Sequence, residues 1–251
     1  MKSAPDKYVA ARGAKSLNRL FDPLLRLTMP ERAFKRQLIE QAHPEPAMRV
    51  VDIGCGTGTL LLMLGERQPH AIGFGVDGDL SILQVAAKQL RRRSIRARLA
   101  VALAGSLPCP PAVFDCPFSS LMLHHLTRDE KRAMSSEACL VLKPGGELHI
   151  ADWGPPHTPA MRFASLTLRS FEYPDRTADN LNGWIAVLCR EAGFVSVKTT
   201  RRYRTMFGTL ELLAASKPEI TTAARTSSST GCGADLQACE GGATTSPAPQ
   251  L

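Results

Sequence analysis

Three glycines, two carboxylates and a pair of histidines are the residues in this chain whose types and spacing bear most directly on chemistry. Asp52 leads into Gly54, Gly56 and Gly58 within the run Met48-Arg49-Val50-Val51-Asp52-Ile53-Gly54-Cys55-Gly56-Thr57-Gly58-Thr59-Leu60. Alternate glycines permit backbone angles and close approaches that a Cβ blocks, and an amphipathic segment follows, so the run reads as strand, tight turn, helix. The unpaired N–H groups of a helix N-terminus can face a ligand, and a carboxylate at the end of a buried strand is costly unless it is partnered. Asp77 closes the next apolar run about 20 residues later, where an acidic side chain can accept two hydrogen bonds from ribose hydroxyls. His124 and His125 stand side by side farther on. An imidazole titrates near neutral pH and serves as a general base; the alternative is that one ring packs the loop and the other is exposed. Asp152 and Trp153 close a later strand, and His157 follows within a Pro-rich stretch; all three are candidates to touch a substrate. The histidines lack the further clustered ligands of a zinc site, so no metal is expected.

Such residues need a scaffold that carries strand ends to one rim. The pattern predicts strands over Met48–Ile53, Ala71–Asp77, Ile95–Ala102, Val113–Leu123 and Glu147–Trp153. Between them it predicts helices over Thr59–Glu66, from the N-cap Asp79 to Arg93, and Thr127–Leu142. Lys143-Pro144-Gly145-Gly146 is a helix stop. Helices over Ala160–Glu172 and Thr177–Ala192 precede two closing strands, Val195–Thr205 and Thr209–Ala214, joined by a turn at Phe207-Gly208. Strands alternating with helices imply right-handed crossovers and a mostly parallel sheet, with ligands at the carboxyl ends of the strands. Pro117 falls inside the fourth strand, where it removes a ladder donor, so a bulge or a weakened strand is expected there.

The glycine turn does not fit the dinucleotide fingerprint G-x-G-x-x-G, because Thr59 takes the third glycine's place. The spacing D-x-G-x-G-x-G, followed in order by Val76-Asp77, by Phe114-Asp115-Cys116-Pro117-Phe118-Ser119-Ser120 and by Leu142-Lys143-Pro144-Gly145-Gly146, resembles the class I S-adenosylmethionine-dependent methyltransferases. The resemblance runs from about Tyr8 to Lys217. It implies an α/β, Rossmann-like three-layer sandwich with a seven-stranded, mostly parallel sheet ending in an antiparallel hairpin strand. It also implies an enzyme with S-adenosyl-L-methionine as cofactor. The residues it places around that cofactor are Asp52, Gly54, Cys55, Gly56, Gly58, Asp77, Gly78, Leu80, Ser106, Leu107 and Ser119, with Cys55 and Thr57 as spacers contributing backbone groups. Leu20-Phe21-Asp22-Pro23 resembles a segment ahead of the domain in ubiquinone- and menaquinone-biosynthesis C-methyltransferases, and Ser119-Ser120-Leu121-Met122-Leu123-His124-His125-Leu126 resembles the small-molecule branch. The implied acceptor is a small or lipid-like molecule. One departure stands out: the family commonly carries an acid shortly after the third strand, and Leu103 occupies that place.

Composition narrows the rest. An apolar share of 44% in 251 residues supports one α/β domain with additions. The organisation expected is a helical N-terminal lid over 1–46, a methyltransferase domain over 47–217 and a disordered tail over 218–251, where Ser, Thr, Gly and Ala dominate. No apolar run reaches membrane-span length and Met1–Arg12 has no apolar h-region, so the cytoplasm is the expected compartment. Seven cysteines form no C-x-x-C pair, which favours reduced thiols. The tail holds Arg225 against Glu219, Asp235 and Glu240, leaving 30 basic against 20 acidic residues, a net +10, in residues 1–217. That charge invites nucleic acid or an anionic membrane non-specifically. The N/D-P-P-Y/F phrase of amino-directed and nucleic-acid methyltransferases is absent, so nucleic acid is disfavoured as a partner. An RNA methyltransferase and a non-catalytic cofactor-binding protein remain the alternatives.

Overall fold

A computed structural model describes residues 31–171 and 174–219. The elements in chain order are α1 (Glu31–Gln41), β1 (Arg49–Ile53), α2 (Thr59–Arg67), β2 (Ile72–Asp77), α3 (Leu80–Arg92), β3 (Ala97–Val101), β4 (Cys116–Ser120), a 3-10 turn (Leu123–His125), α4 (Arg128–Val141), β5 (Glu147–Gly154), α5 (Pro159–Phe171), α6 (Pro174–Leu181), α7 (Trp184–Glu191), β6 (Val195–Thr205) and β7 (Gly208–Ser216). They build a seven-stranded sheet in the order β3-β2-β1-β4-β5-β7-β6. Pairings among the first five strands are parallel, and β7 runs antiparallel between β5 and β6. The chain leaves β1 outward through β2 and β3, then crosses back to β4 on β1's other side. The carboxyl ends of β1 and β4 therefore flank the switch point, where α/β sheets bind ligands.

Alternation along the strands feeds two cores. Val51 and Ile53 of β1 join Met134, Ala138 and Val141 of α4 and Ile185 and Cys189 of α7 on one face. Val50 joins Phe34, Leu38 and Ile39 of α1 and Leu60 and Leu64 of α2 on the other. A strand buried on both faces reads as a continuous apolar run, which is why Val50-Val51-Asp52-Ile53 was legible. Among the described helices, three starts are capped by side chains: Asp79 Oδ1 accepts from the Ser81 N–H at 2.8 Å, Thr127 with Glu130 forms a capping box, and Thr158 Oγ1 accepts from the Met161 N–H at 3.2 Å.

Three expectations need correction. The fourth strand contracts from Val113–Leu123 to Cys116–Ser120, and its register across Val50↔Cys116, Val51↔Pro117 and Asp52↔Phe118 is continuous, without a bulge. Leu121, at φ 53°, turns the chain out of the strand. The third strand starts at Ala97 because Ile95 packs against Gly65, where its Cγ2 lies 2.5 Å from the position a Cβ would take. The single helix over Thr177–Ala192 is two, α6 and α7, broken at Gly183 with φ 79°, a conformation that glycine adopts at little cost. Of the apolar residues Ala33, Phe34, Leu38 and Ile39, which recur at helical spacing from Glu31 to Ala42, helix α1 buries the last three and leaves Ala33 exposed. The expectations for residues 1–30 of the N-terminal lid, for Leu20–Pro23 and for nearly all of the tail from Pro218 lie outside the described residues.

Candidate active site

The glycine turn uses its three glycines for three different reasons. Gly54 (φ 74°) lies under Met122: a Cβ there would sit 2.3 Å from Met122 Cγ and 2.8 Å from its Cβ. Gly58 (φ 77°) lets α2 start against α3, where an added Cβ would lie 3.1 Å from Ala86 Cβ. Gly56 (φ 52°) has no such neighbour within 4 Å, so the side on which a Cβ would stand is open. Cys55 tucks beneath the turn into a small cluster with Leu61, Leu83 and Leu90, and burial pushes its thiol well up. Its side chain is packing, and its backbone closes the turn: the Cys55 N–H donates to the Val76 carbonyl at 3.0 Å and its carbonyl accepts from the Gly58 N–H at 2.9 Å.

Two carboxylates frame the turn. Asp77 Oδ2 accepts from the Gly56 N–H at 2.9 Å and Oδ1 from the Asp79 N–H at 3.0 Å, so the carboxylate spans Gly78 and ties the end of β2 to the turn. Each oxygen keeps a lone pair for a further donor. Asp52 is different: it is 1% exposed, and neither oxygen has a hydrogen-bond partner. Burial pushes its carboxyl up to about 7, the Lys35 ammonium opposing and Asp77 adding to the rise. Lys35 reaches in from α1, itself held by Glu31 at 2.8 Å. An orphaned buried carboxyl beside an open glycine turn is the signature of a missing donor or cation.

At the ends of β2 and β3, Leu80, Val101 and Leu103 are exposed apolar side chains. Leu103 contributes no carboxylate to this rim. Ser106 is exposed and its N–H bonds to the Leu103 carbonyl at 3.0 Å. Leu107 is buried in the core, with its N–H donated to Glu137 Oε1 at 2.9 Å, so Glu137 on α4 pins this loop.

Across the switch point, Asp152 organises the histidine turn. Its carboxylate accepts from the Met122 N–H (3.0 Å), the Leu123 N–H (2.8 Å), the Trp153 N–H (2.8 Å) and Asn180 Nδ2 (3.0 Å), and it faces His124 Nδ1 at 2.7 Å. Burial alone would raise the Asp152 carboxyl, but the His124 ring and these donors hold it below the usual carboxylate range. The His124 and His125 rings lie 4.0 Å apart. Positive charge on His124, then burial, lower the His125 imidazole to about 3, so His125 is uncharged at neutral pH. His124 is buried and His125 half-buried, and Arg176 Nη1 donates to the His125 carbonyl at 2.6 Å.

Asn180 and Arg176 both come from α6, and neither was visible in the sequence as a site residue. Helix α6 is fastened to α4 by Arg128 and the fully buried Lys131, which meet Asp179 and the Arg176 carbonyl. No fixed spacing links these residues to the histidines, and only the fold brings them together. Trp153 is buried with its Nε1 unpartnered, as are Asn180 Oδ1 and Thr177 Oγ1. Ser119 is also buried with an unpartnered hydroxyl, but it alternates with Phe118 and so faces the α4 side of the sheet, away from the face that carries Asp52. His157 is tied to the β6–β7 hairpin through Thr209 Oγ1 at 2.8 Å.

Residues 50–146, from β1 to the start of β5, match the family model described as a methyltransferase domain. The chain is 32% identical over 123 residues to the demethylmenaquinone methyltransferase of Thermus thermophilus, covering 49% of this chain and 55% of that protein. It is 33% identical over 129 residues to the ubiquinone/menaquinone biosynthesis C-methyltransferase UbiE of Rhizobium leguminosarum, covering 49% and 48%. The match thus spans about half the length of these relatives. Among solved structures, phosphoethanolamine N-methyltransferase 2 of Haemonchus contortus, in complex with phosphomonomethylethanolamine and S-adenosylhomocysteine, superposes with a TM-score of 0.59 at 19% identity, covering 74% of this chain and 53% of that one. That likeness shows the fold. The orphaned Asp52 oxygens and the spare lone pairs of Asp77 fit S-adenosylmethionine, the cofactor that the sequence resemblance implies: a cationic, amino- and hydroxyl-bearing molecule supplies the donors these atoms lack. No helix among the described residues is long and apolar enough to cross a membrane.

Proposed function

We propose that this chain transfers a methyl group from S-adenosylmethionine to a small, lipid-like acceptor of the quinone-precursor class. The observation that carries the reading is the contact between the two halves of the site. Met122, two residues before His124, packs directly on Gly54, so the histidine turn and the cofactor turn share one wall. The names of the curated relatives support a quinone-type acceptor, and the missing N/D-P-P-Y/F phrase argues against a base or amide nitrogen.

When bound, the cofactor supplies a methyl on a positively charged sulfur, already activated for displacement. The chain's own work is alignment, exclusion of water and management of one proton. Asp77 holds the ribose hydroxyls, and Asp52 receives the cationic end of the cofactor. With Asp152 ionised, the proton on His124 belongs on Nδ1, which makes Nε2 the basic nitrogen. The same Asp-on-imidazole geometry orients a general base in other enzymes. His124 then accepts the proton of an acidic acceptor carbon or hydroxyl. His125, with its conjugate acid too strong to hold a proton at neutral pH, serves as a neutral hydrogen-bonding wall.

The test is transfer of labelled methyl from S-adenosylmethionine into a cell extract, followed by separation into lipid, RNA and water-soluble fractions. Label in the lipid fraction, lost with His124→Asn, is expected. Label entering RNA, or no transfer to any fraction, contradicts the reading.

A further inference from the structure

Helix α5 leaves an apolar surface outside the site. Its inward side is Met161 and Ser165, both buried, while Phe163 is 78% exposed and Leu166 51% exposed on the outward side. The helix begins next to His157, whose bond to Thr209 fastens it to the β6–β7 hairpin. Thr209 is in register with Arg204, and Met206 at the hairpin tip is 52% exposed. Phe163 and Met206 therefore project from neighbouring elements at one end of the sheet, beyond the carboxyl end of β5. Between α5 and the segment before it lies an open cleft of about 580 Å³, lined by Pro156, His157, Arg162, Phe163 and Leu166.

Cations border this apolar surface. Arg162 on α5 and Arg204 on β6 are exposed, and among the described residues neither has an ion-pair partner. An exposed aromatic and a methionine flanked by free arginines match an anionic interface that is apolar just beneath: the apolar groups enter the acyl boundary and the guanidinium groups meet phosphate. We propose that the α5 face and the β6–β7 hairpin tip seat this protein on an anionic phospholipid bilayer, with the cleft beside His157 as the way in for a lipid-like acceptor. The route for the acceptor rests on the function proposed above; the bilayer contact does not.

The experiment is co-sedimentation of the full chain with phosphatidylcholine vesicles with and without phosphatidylglycerol, over a range of salt. Binding is expected only with phosphatidylglycerol and should weaken as salt rises. The double variant F163S/M206S should bind about tenfold or more weakly, since each removes a large apolar side chain from the boundary. R162Q/R204Q should lose about fivefold per arginine. All four positions are exposed, so the melting temperature should stay that of the wild type. R91Q/R92Q, which makes the same charge change at the exposed end of α3, should bind as the wild type does. Absence of vesicle binding, wild-type binding by F163S/M206S, an equal loss in R91Q/R92Q, or capture of RNA through these same residues in place of vesicles overturns the proposal. Vesicle binding is read without methyl transfer, so a failure here is distinct from label failing to enter the lipid fraction.

Discussion

Replacing Asp52 with asparagine should make the ligand-free protein more stable while removing its grip on the cofactor. The wild-type carboxyl is held at about 7 in the folded chain against an ordinary 3.8, chiefly because burial disfavours its charge. With the folded value above the unfolded one, the contribution to stability is fully present below about pH 4 and is lost as pH rises through 7. At 1.36 kcal/mol per pH unit, the deficit above pH 7 is about 4 kcal/mol. Asparagine carries no charge but leaves a buried amide unsatisfied, which offsets about 1–2 kcal/mol. The Asp52→Asn protein should therefore be more stable than wild type by about 2–3 kcal/mol at pH 8, a rise of roughly 5–10 °C in melting temperature for a domain of this size. At pH 4, where the folded wild-type carboxyl is protonated, only the cost of the unsatisfied amide remains and the variant should be the less stable by about 1–2 kcal/mol. Thermal melts from pH 4 to 8, with and without S-adenosylmethionine, read both effects: the cofactor should raise the wild-type melting temperature and leave the variant's unchanged. Parallel melting curves at every pH, or destabilisation at pH 8, would refute the assignment of Asp52 as an orphaned carboxyl waiting for a cation.

Other perturbations follow from the same geometry. His149, 1% exposed beneath α1 with Nδ1 against Gln41 Nε2 at 3.0 Å, is lowered by burial to about 4. A folded value below the unfolded 6.5 means stability falls as pH drops from about 6.5 to 4, by about 3 kcal/mol. Asp52 acts with the opposite sign over part of that window, so a denaturant-midpoint series should show the acid limb most clearly in the Asp52→Asn background and should flatten when His149→Gln is added. Gly54→Ala should cost more than Gly56→Ala in both stability and turnover, because only the former drives a methyl into the Met122 side chain; equal melting temperatures for the two variants would remove Met122 as the shared wall. Asp152→Asn should lower kcat by about 100-fold or more with little change in KM for S-adenosylmethionine, through the wrong His124 tautomer, and should shift the pH–rate profile. A uniform loss with an unchanged profile would make Asp152 a packing residue only.

The scaffold was legible wherever local rules and tertiary demand agree. The run Val50–Ile53 is buried on both faces, Asp79 caps α3 through its own neighbour Ser81, and Gly54, Gly56 and Gly58 adopt the positive φ their spacing implies. Boundaries failed where a distant contact decides them: Ile95 leaves the strand to fill the space beside Gly65, and Leu121 turns β4 early. The proposed cofactor half of the site lies within one stretch of chain, from Asp52 to Asp77, so sequence order reveals it. The acceptor half does not. Asp152 was read as a contact to substrate, yet its carboxylate is occupied by donors from the histidine turn, Trp153 and α6. Asn180 and Arg176 reach that turn only because Lys131 and Arg128, some 50 residues away, fasten α6 to α4. Nothing in spacing or composition encodes such a meeting.

On this reading the glycine turn, with Asp52 and Asp77, holds S-adenosylmethionine. Isothermal calorimetry of the purified chain with S-adenosylmethionine, repeated on Asp77→Ala, tests it most directly. One cofactor per chain is expected in the wild type, with affinity falling by about tenfold or more when the ribose-binding carboxylate is removed. No heat of binding in the wild type, or equal affinity in the two proteins, would contradict the account.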